Sequence, residues 1–136
     1  MDRNLGDLIQ WGPSSEEDSF GPTSALDYLE GQTNSWANAD YQTYDLNYYS
    51  NKSLTRTNVR ARLLTPEEAE SLGCLEFDSG GCPSWIFSTD ESYWLSSAGG
   101  CPEYAYSMQS EGYLDPESMA NSASSGVRPV INLKMN

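Results

Sequence analysis

The sequence predicts an α+β domain: a small antiparallel sheet with two short helices and long polar loops. Three stretches carry that expectation. LLTPEEAESLG over 63–73 has the signature of a capped helix. YAYSMQSEGYL over 104–114 has that of a hairpin, and SYWLSS over 92–97 that of an aromatic strand. A chain of 136 residues suits one domain, 1–136. A chain of this length buries about 70% of the surface its unfolded form exposes, enough for a real core.

Taken in order, residues 1–22 read as an irregular N-terminal segment. They hold Trp11-Gly12-Pro13, a solvated acidic run Glu16-Glu17-Asp18, and Gly21-Pro22. TSALDYLEG then suits a short helix. Thr23 or Ser24 caps it, Ala25, Leu26, Tyr28 and Leu29 form its apolar face, and Gly31 stops it. Residues 32–53 are rich in Asn, Gln, Ser, Thr and Tyr and show no clear period, as in a long loop or a binding surface. In NVRARLL, Val59, Ala61 and Leu63 alternate with Arg60 and Arg62, as a half-buried strand would.

Thr65 as N-cap, Pro66 at N1 and Glu68 at N3 make a capping box. Glu67, Glu68 and Glu70 suit the positive end of that helix, Ala69 and Leu72 face the core, and Gly73 ends it. CPSWIF reads as a first aromatic strand, turning at Thr89-Asp90-Glu91 into SYWLSS. In the hairpin, Tyr104, Tyr106 and Met108 oppose Ala105, Ser107 and Gln109, and Gly112 supplies the left-handed residue of a three-residue loop. DPESMANSASS over 115–125 is a polar loop. VRPVINLK closes the chain as a strand, with Pro129 at a strand start, an edge or a bulge.

The formal net charge is −13 and the pI about 4.1. Such a chain repels phosphate, so neither nucleic acid nor an anionic membrane is an expected partner. The basic cluster Lys52, Arg56, Arg60 and Arg62 complements the acidic surroundings internally. No stretch approaches the roughly 20 apolar residues that span a bilayer, so no membrane insertion is expected from this segment. No signal peptide opens the chain, which suits an excised domain whose leader or anchor is missing. Of the three cysteines, Cys74 and Cys82 bracket LEFDSGG, a loop easily closed by a disulfide. Cys101 is then left over, although it can also pair with either of the others. A disulfide favours an extracellular or cell-surface location.

The ordered set TPEEA, CPSW, SYWLSSA, YAYSMQSEGYL and GVRPVINLK resembles a domain family of unknown function in bacterial surface and prepilin-like proteins, common in gut Firmicutes. The family pattern runs from a "TxEEA" helix through "YWLSS" and a hairpin glycine to a closing "GVRPV-x-L", and SALDYLEG matches the short helix that precedes it. The resemblance covers roughly 24–134. Members look like distant relatives of the C-type-lectin-like and formylglycine-generating-enzyme fold. The resemblance therefore implies a lectin-like core over 23–134. It gives structural roles to the Trp94 strand, Gly112 and the Arg128 strand. The oxidase branch's active-site motif is not reproduced, and the Cys74–Cys82 spacing reads as structural. Lectins of this fold hold calcium with acid-plus-amide motifs beside a proline, and DPES at 115–118 resembles one weakly. No other cofactor and no protein metal site is expected: the chain has no His and no CxxC.

Catalysis needs a tuned acid, base or nucleophile with a partner. Without His there is no Ser-His or Cys-His pair. Carboxylate pairs such as Asp90-Glu91 or Asp115-Glu117 offer glycosidase chemistry in principle, but a chain this acidic makes such pairs by chance. The expectation is therefore no enzyme. Trp36, Tyr41, Tyr44, Tyr48 and Tyr49, aromatic rings among amides, are the candidate ligand-binding residues. Arg128 needs carboxylates or loop carbonyls if half-buried, and is expected to pin the 115–125 loop to the last strand. The leading expectation is an extracellular recognition or surface-display domain that binds a glycan or a protein on a host or neighbouring cell. The alternatives are a pilin-like or appendage subunit without a soluble ligand, and a phage or retroelement-diversified receptor-binding protein.

Overall fold

The structure, a computed structural model, describes residues 5–12, 22–49, 52–87, 91–99, 104–119 and 124–133. Cys101 and the turn at 88–90 lie outside the described residues. The architecture is α+β. In chain order the elements are β1 (Leu5–Ile9), α1 (Thr23–Thr33), β2 (Gln42–Tyr49), β3 (Lys52–Val59), α2 (Pro66–Ser71), β4 (Tyr93–Ala98), β5 (Tyr104–Met108), β6 (Leu114–Met119) and β7 (Ser125–Val127). A five-stranded sheet runs β1-β7-β4-β5-β6, and β2-β3 form a separate two-stranded hairpin.

The main sheet is mixed, not antiparallel as expected: β7 pairs parallel with β4 through Tyr93 and Gly126. A parallel neighbour needs a long crossover. The β5–β6 hairpin, paired from Tyr104 opposite Met119 to Met108 opposite Leu114, supplies it. The segment 1–22 is not wholly irregular, because β1 forms the sheet edge by pairing antiparallel with β7.

β4 is the middle strand and is buried on both faces. Its alternation sends Trp94 into one core and Tyr93 and Leu95 into the other. The first core gathers Trp11, Leu26, Leu29, Leu46, Leu63 and Trp94 beneath α1 and the β2–β3 hairpin. The second gathers Leu64, Ala69, Cys74, Ile86, Met108 and Leu114 beneath α2 and the disulfide loop. Both buried indoles are satisfied: Trp11 Nε1 donates to the Leu95 carbonyl at 2.9 Å and Trp94 Nε1 to the Ile9 carbonyl at 2.7 Å.

Four local expectations need correction. First, α1 carries no side-chain cap at its start, which follows Pro22. The Trp11 carbonyl accepts from the Ala25 amide instead. The helix also runs through Gly31, whose position is sterically open, and ends at Thr33. Second, residues 32–53 are not a loop throughout: Tyr44 and Leu46 pair with Arg56 and Leu54 across the hairpin. A bulge at Asn58 (φ 55) shifts their register. Third, CPSWIF is a chain of turns rather than a strand, and DPES belongs to β6 rather than to a loop. Fourth, the closing strand stops at Val127, and among the described residues the chain beyond it is held by isolated bridges, Arg62 to Val130 and Ala39 to Leu133.

The capping box stands as read. The Thr65 hydroxyl accepts from the Glu68 amide, and the Glu68 carboxylate accepts from the Thr65 amide, both at 3.0 Å. Ala69 is buried, but Leu72 is exposed and does not reach the core. Gly73 leaves α2 at φ 108. Gly112 sits at φ 88 in the hairpin loop, where an added Cβ would also meet the Phe87 ring at 2.9 Å.

Candidate functional site

The C-terminal segment 128–133 decides the surface. Two reciprocal amide–carbonyl bonds, at 3.0 and 2.9 Å, tie Val130 to Arg62, and the Asp40 amide donates to the Asn132 carbonyl at 2.8 Å. On its other side stands the 83–87 turn, which emerges from the Cys74–Cys82 disulfide. Arg128 joins the two. It is only 6% exposed; its Nη1 donates to the Ile86 carbonyl at 2.6 Å and its Nη2 to the Trp85 carbonyl at 2.5 Å. Its guanidinium also lies 5.2 Å from the Tyr93 ring centroid. Arg128 therefore bonds loop carbonyls, but those of the 83–87 turn rather than of the 115–125 segment. The reason is topological: β7 lies beside β4, so the residue after β7 faces the turn that leads into β4.

Tyr93 completes the clasp by donating its hydroxyl to the same Ile86 carbonyl. Burial pushes the Tyr93 phenol up to about 12, with Arg128 opposing, so it stays a neutral donor.

Between these two walls runs a groove of about 730 Å³. Leu64, Leu72, Ile86, Pro129, Val130 and Ile131 line much of it. Trp85 and Leu133, 60% and 62% exposed, stand on it as large apolar side chains open to solvent. Past Ile131 and Leu133 the surface continues into a shallow depression bounded by Trp36 and Asn38. Polar groups are few, and the Arg128 donors that bond carbonyls are turned to the protein itself.

The expected aromatic residues do not gather on one face. Trp36 joins the extension of the groove. Tyr41 is exposed beneath the Arg60 guanidinium, 4.1 Å from its ring centroid, and its hydroxyl accepts from Arg60 Nη2 at 2.9 Å. Arg60 also donates to the carbonyls of Asn34, Trp36 and Ala39, so it holds the 34–41 loop in place. Tyr44 points to a different, polar pocket beside Arg62 and Glu68. Tyr48 and Tyr49 close β2, and the placement of their side chains lies outside the described residues. Trp85, the most prominent ring of the groove, belongs to CPSWIF, which reads as a strand in the sequence. Its signal was the neighbouring Gly-Gly-Cys-Pro, which marks a turn and therefore a surface position.

The basic cluster is largely spent on internal bonds. Arg56 pairs with Asp27 at 3.1 Å and Glu30 at 2.7 Å, and Arg62 grips Glu68 through two bonds at 2.8 and 2.7 Å. The Arg62 hydrogen bonds, more than the capping bonds, hold the Glu68 carboxyl down to about 2. Burial raises the Glu30 carboxyl, with Arg56 opposing. Among the described residues no three of His, Cys, Asp and Glu come together to hold a metal ion. In DPES the Asp115 carboxylate accepts from the Glu117 amide and the Ser118 hydroxyl. Among the described residues no helix is long and apolar enough to cross a membrane. Comparison with protein families, curated proteins and solved structures gave no match.

Proposed function

We propose that this chain is a non-catalytic recognition domain, displayed outside the cell, whose groove takes an apolar segment of a partner protein. The observation that carries the reading is the exposure of Trp85 and Leu133 on a groove whose walls Arg128 locks together. A contiguous apolar patch rimmed by polar residues marks an interaction surface. Rigid aromatic anchors supply most of the energy at such surfaces. The scarcity of free polar groups favours a protein segment over a glycan, which needs hydrogen-bonding partners around each ring. The net charge of −13 favours a segment with basic flanks. The Cys74–Cys82 disulfide supports an oxidising location. Trp94 on the middle strand and Arg128 just past β7 support a C-type-lectin-like scaffold and kinship with the bacterial surface-domain family.

The test is a peptide library with apolar centres and basic flanks, screened by tryptophan emission and confirmed by calorimetry. The reading expects saturable binding that Trp85→Ala weakens at least tenfold with an unchanged melting temperature. Equal binding by the variant contradicts it. The second reading, an appendage subunit, rests on the same exposed face. Concentration-dependent assembly in sedimentation, abolished by Trp85→Ala, would establish that one instead.

A further inference from the structure

The indoles of this chain fall into two pairs. Trp11 and Trp94 are buried, and each donates its Nε1–H to a main-chain carbonyl. Trp85 stands on the groove and Trp36 on its extension past Ile131 and Leu133. Among the described residues the Nε1–H of neither has an acceptor. Trp85 is exposed and Trp36 partly so, which leaves both rings open to a ligand. Acceptors on the two walls are differently placed. The Trp85 and Ile86 carbonyls accept from Arg128. The Val130 carbonyl accepts from the Arg62 amide and from Gln42 Nε2, and the Asn132 carbonyl from the Asp40 amide. Those carbonyls are engaged, while the two indole donors are not.

We infer that the occupant of the groove is a proline-rich segment in the polyproline II conformation, with basic ends, packed on the Trp85 and Trp36 rings. The inference rests on the reading of the groove as a protein-binding surface and names what it takes. Proline has no N–H, so such a segment brings carbonyl acceptors and few donors, the complement of two free indole N–H groups. Its pyrrolidine rings are apolar and pack against aromatic faces, and its conformation is preformed, so docking orders little chain. Addition of a β-strand suits the wall less well. Pro129 has no N–H to offer a strand, and Val130 has spent both main-chain groups on Arg62. The charges favour basic ends. Glu70 on α2, Glu91 ahead of Tyr93 and Asp40 beside Asn132 are in no ion pair among the described residues. Of the nearby cations, Arg62 is matched to Glu68, and Arg60 and Arg128 donate to carbonyls. The whole chain, at −13, attracts cations.

The test titrates the whole chain with two synthetic peptides, followed by calorimetry and by the NMR signals of the indole N–H groups. One is Arg-Pro-Leu-Pro-Pro-Leu-Pro-Arg. Its counterpart carries valine and threonine in alternation in place of the prolines. The inference expects the proline peptide to bind saturably and roughly tenfold more tightly than the counterpart. The Trp85 and Trp36 indole signals should move, while those of Trp11 and Trp94 stay in place. Exchanging the end arginines for glutamate should weaken binding by about tenfold or more. Trp85→Phe keeps a ring at an exposed position but deletes the donor, so it should melt as the parent does and bind about fivefold more weakly. A counterpart that binds as tightly and moves the same indoles overturns the inference and leaves the groove a protein-binding surface. Binding of the proline peptide that moves neither Trp85 nor Trp36 also overturns the inference. Absence of binding by both peptides overturns the inference and counts against the reading beneath it.

Discussion

Replacing Arg128 with Ala removes the clasp between the two walls of the groove, and its cost can be worked from the contacts. Two charge-assisted hydrogen bonds are lost, at 2.6 and 2.5 Å, each worth about 1.5–3 kcal/mol. The Ile86 carbonyl keeps the Tyr93 hydroxyl as donor, whereas the Trp85 carbonyl loses the donor it has. Against this, the folded state no longer carries a buried guanidinium, which returns part of the sum. A net loss of about 3 kcal/mol follows, and in a chain of this size it lowers Tm by roughly 10 °C. Arg128→Lys keeps the charge but cannot span both carbonyls in one plane, so it should recover less than half of the loss. Thermal unfolding followed by circular dichroism reads both values. A Tm within about 2 °C of the parent for Arg128→Ala would refute the clasp. If binding at the groove were lost at the same time, Arg128 would be a ligand contact instead.

Two further outcomes follow from neighbouring features. Glu68 is held to about 2 in the folded chain against an ordinary 4.5, chiefly by Arg62. Its contribution is therefore complete above the ordinary value and is lost as pH falls from there toward 2. Urea unfolding across that range should show a stability decline that Glu68→Gln flattens, since Gln keeps the cap but not the charge. Removing the Cys74–Cys82 disulfide, with its sequence separation of 8, should cost about 2–3 kcal/mol by loop closure. With a urea slope of about 2 kcal/mol/M, the double variant Cys74→Ala/Cys82→Ala then unfolds about 1 M earlier. An unchanged midpoint would show that the loop is held without it.

The parts of the fold that sequence revealed are those set by neighbours in the chain. Thr65, Pro66 and Glu68 specify α2 within a single turn, and Gly112 with its alternating flanks specifies the β5–β6 hairpin. The parts it concealed depend on distant partners. β1 is five residues with a Gly and an Asp, and it becomes a strand only because β7 arrives beside it. The parallel β4–β7 pair has no local signature at all. The β2–β3 hairpin did alternate, Tyr44 and Leu46 against Asp45 and Asn47. Its outward face is so rich in Asn, Ser and Thr that the period was masked by loop-like composition. CPSWIF misled in the opposite direction: its apolar run reads as a strand, yet Pro83 and the adjacent disulfide bend it into turns. The same cause separated the candidate site from its expectation. Aromatic content pointed to residues 36–49, whereas the groove is made by two segments some forty residues apart, joined by Arg128.

The account stands on the C-terminal segment being stitched into the body of the domain as the wall of a groove. Amide hydrogen exchange at Arg62 and Val130 tests it most directly, because those two amides donate to each other's carbonyls. The account predicts protection at both comparable to that of the β4–β5 amides, with Arg128→Ala lowering it. Free exchange at Val130 while β4 and β5 remain protected would contradict it.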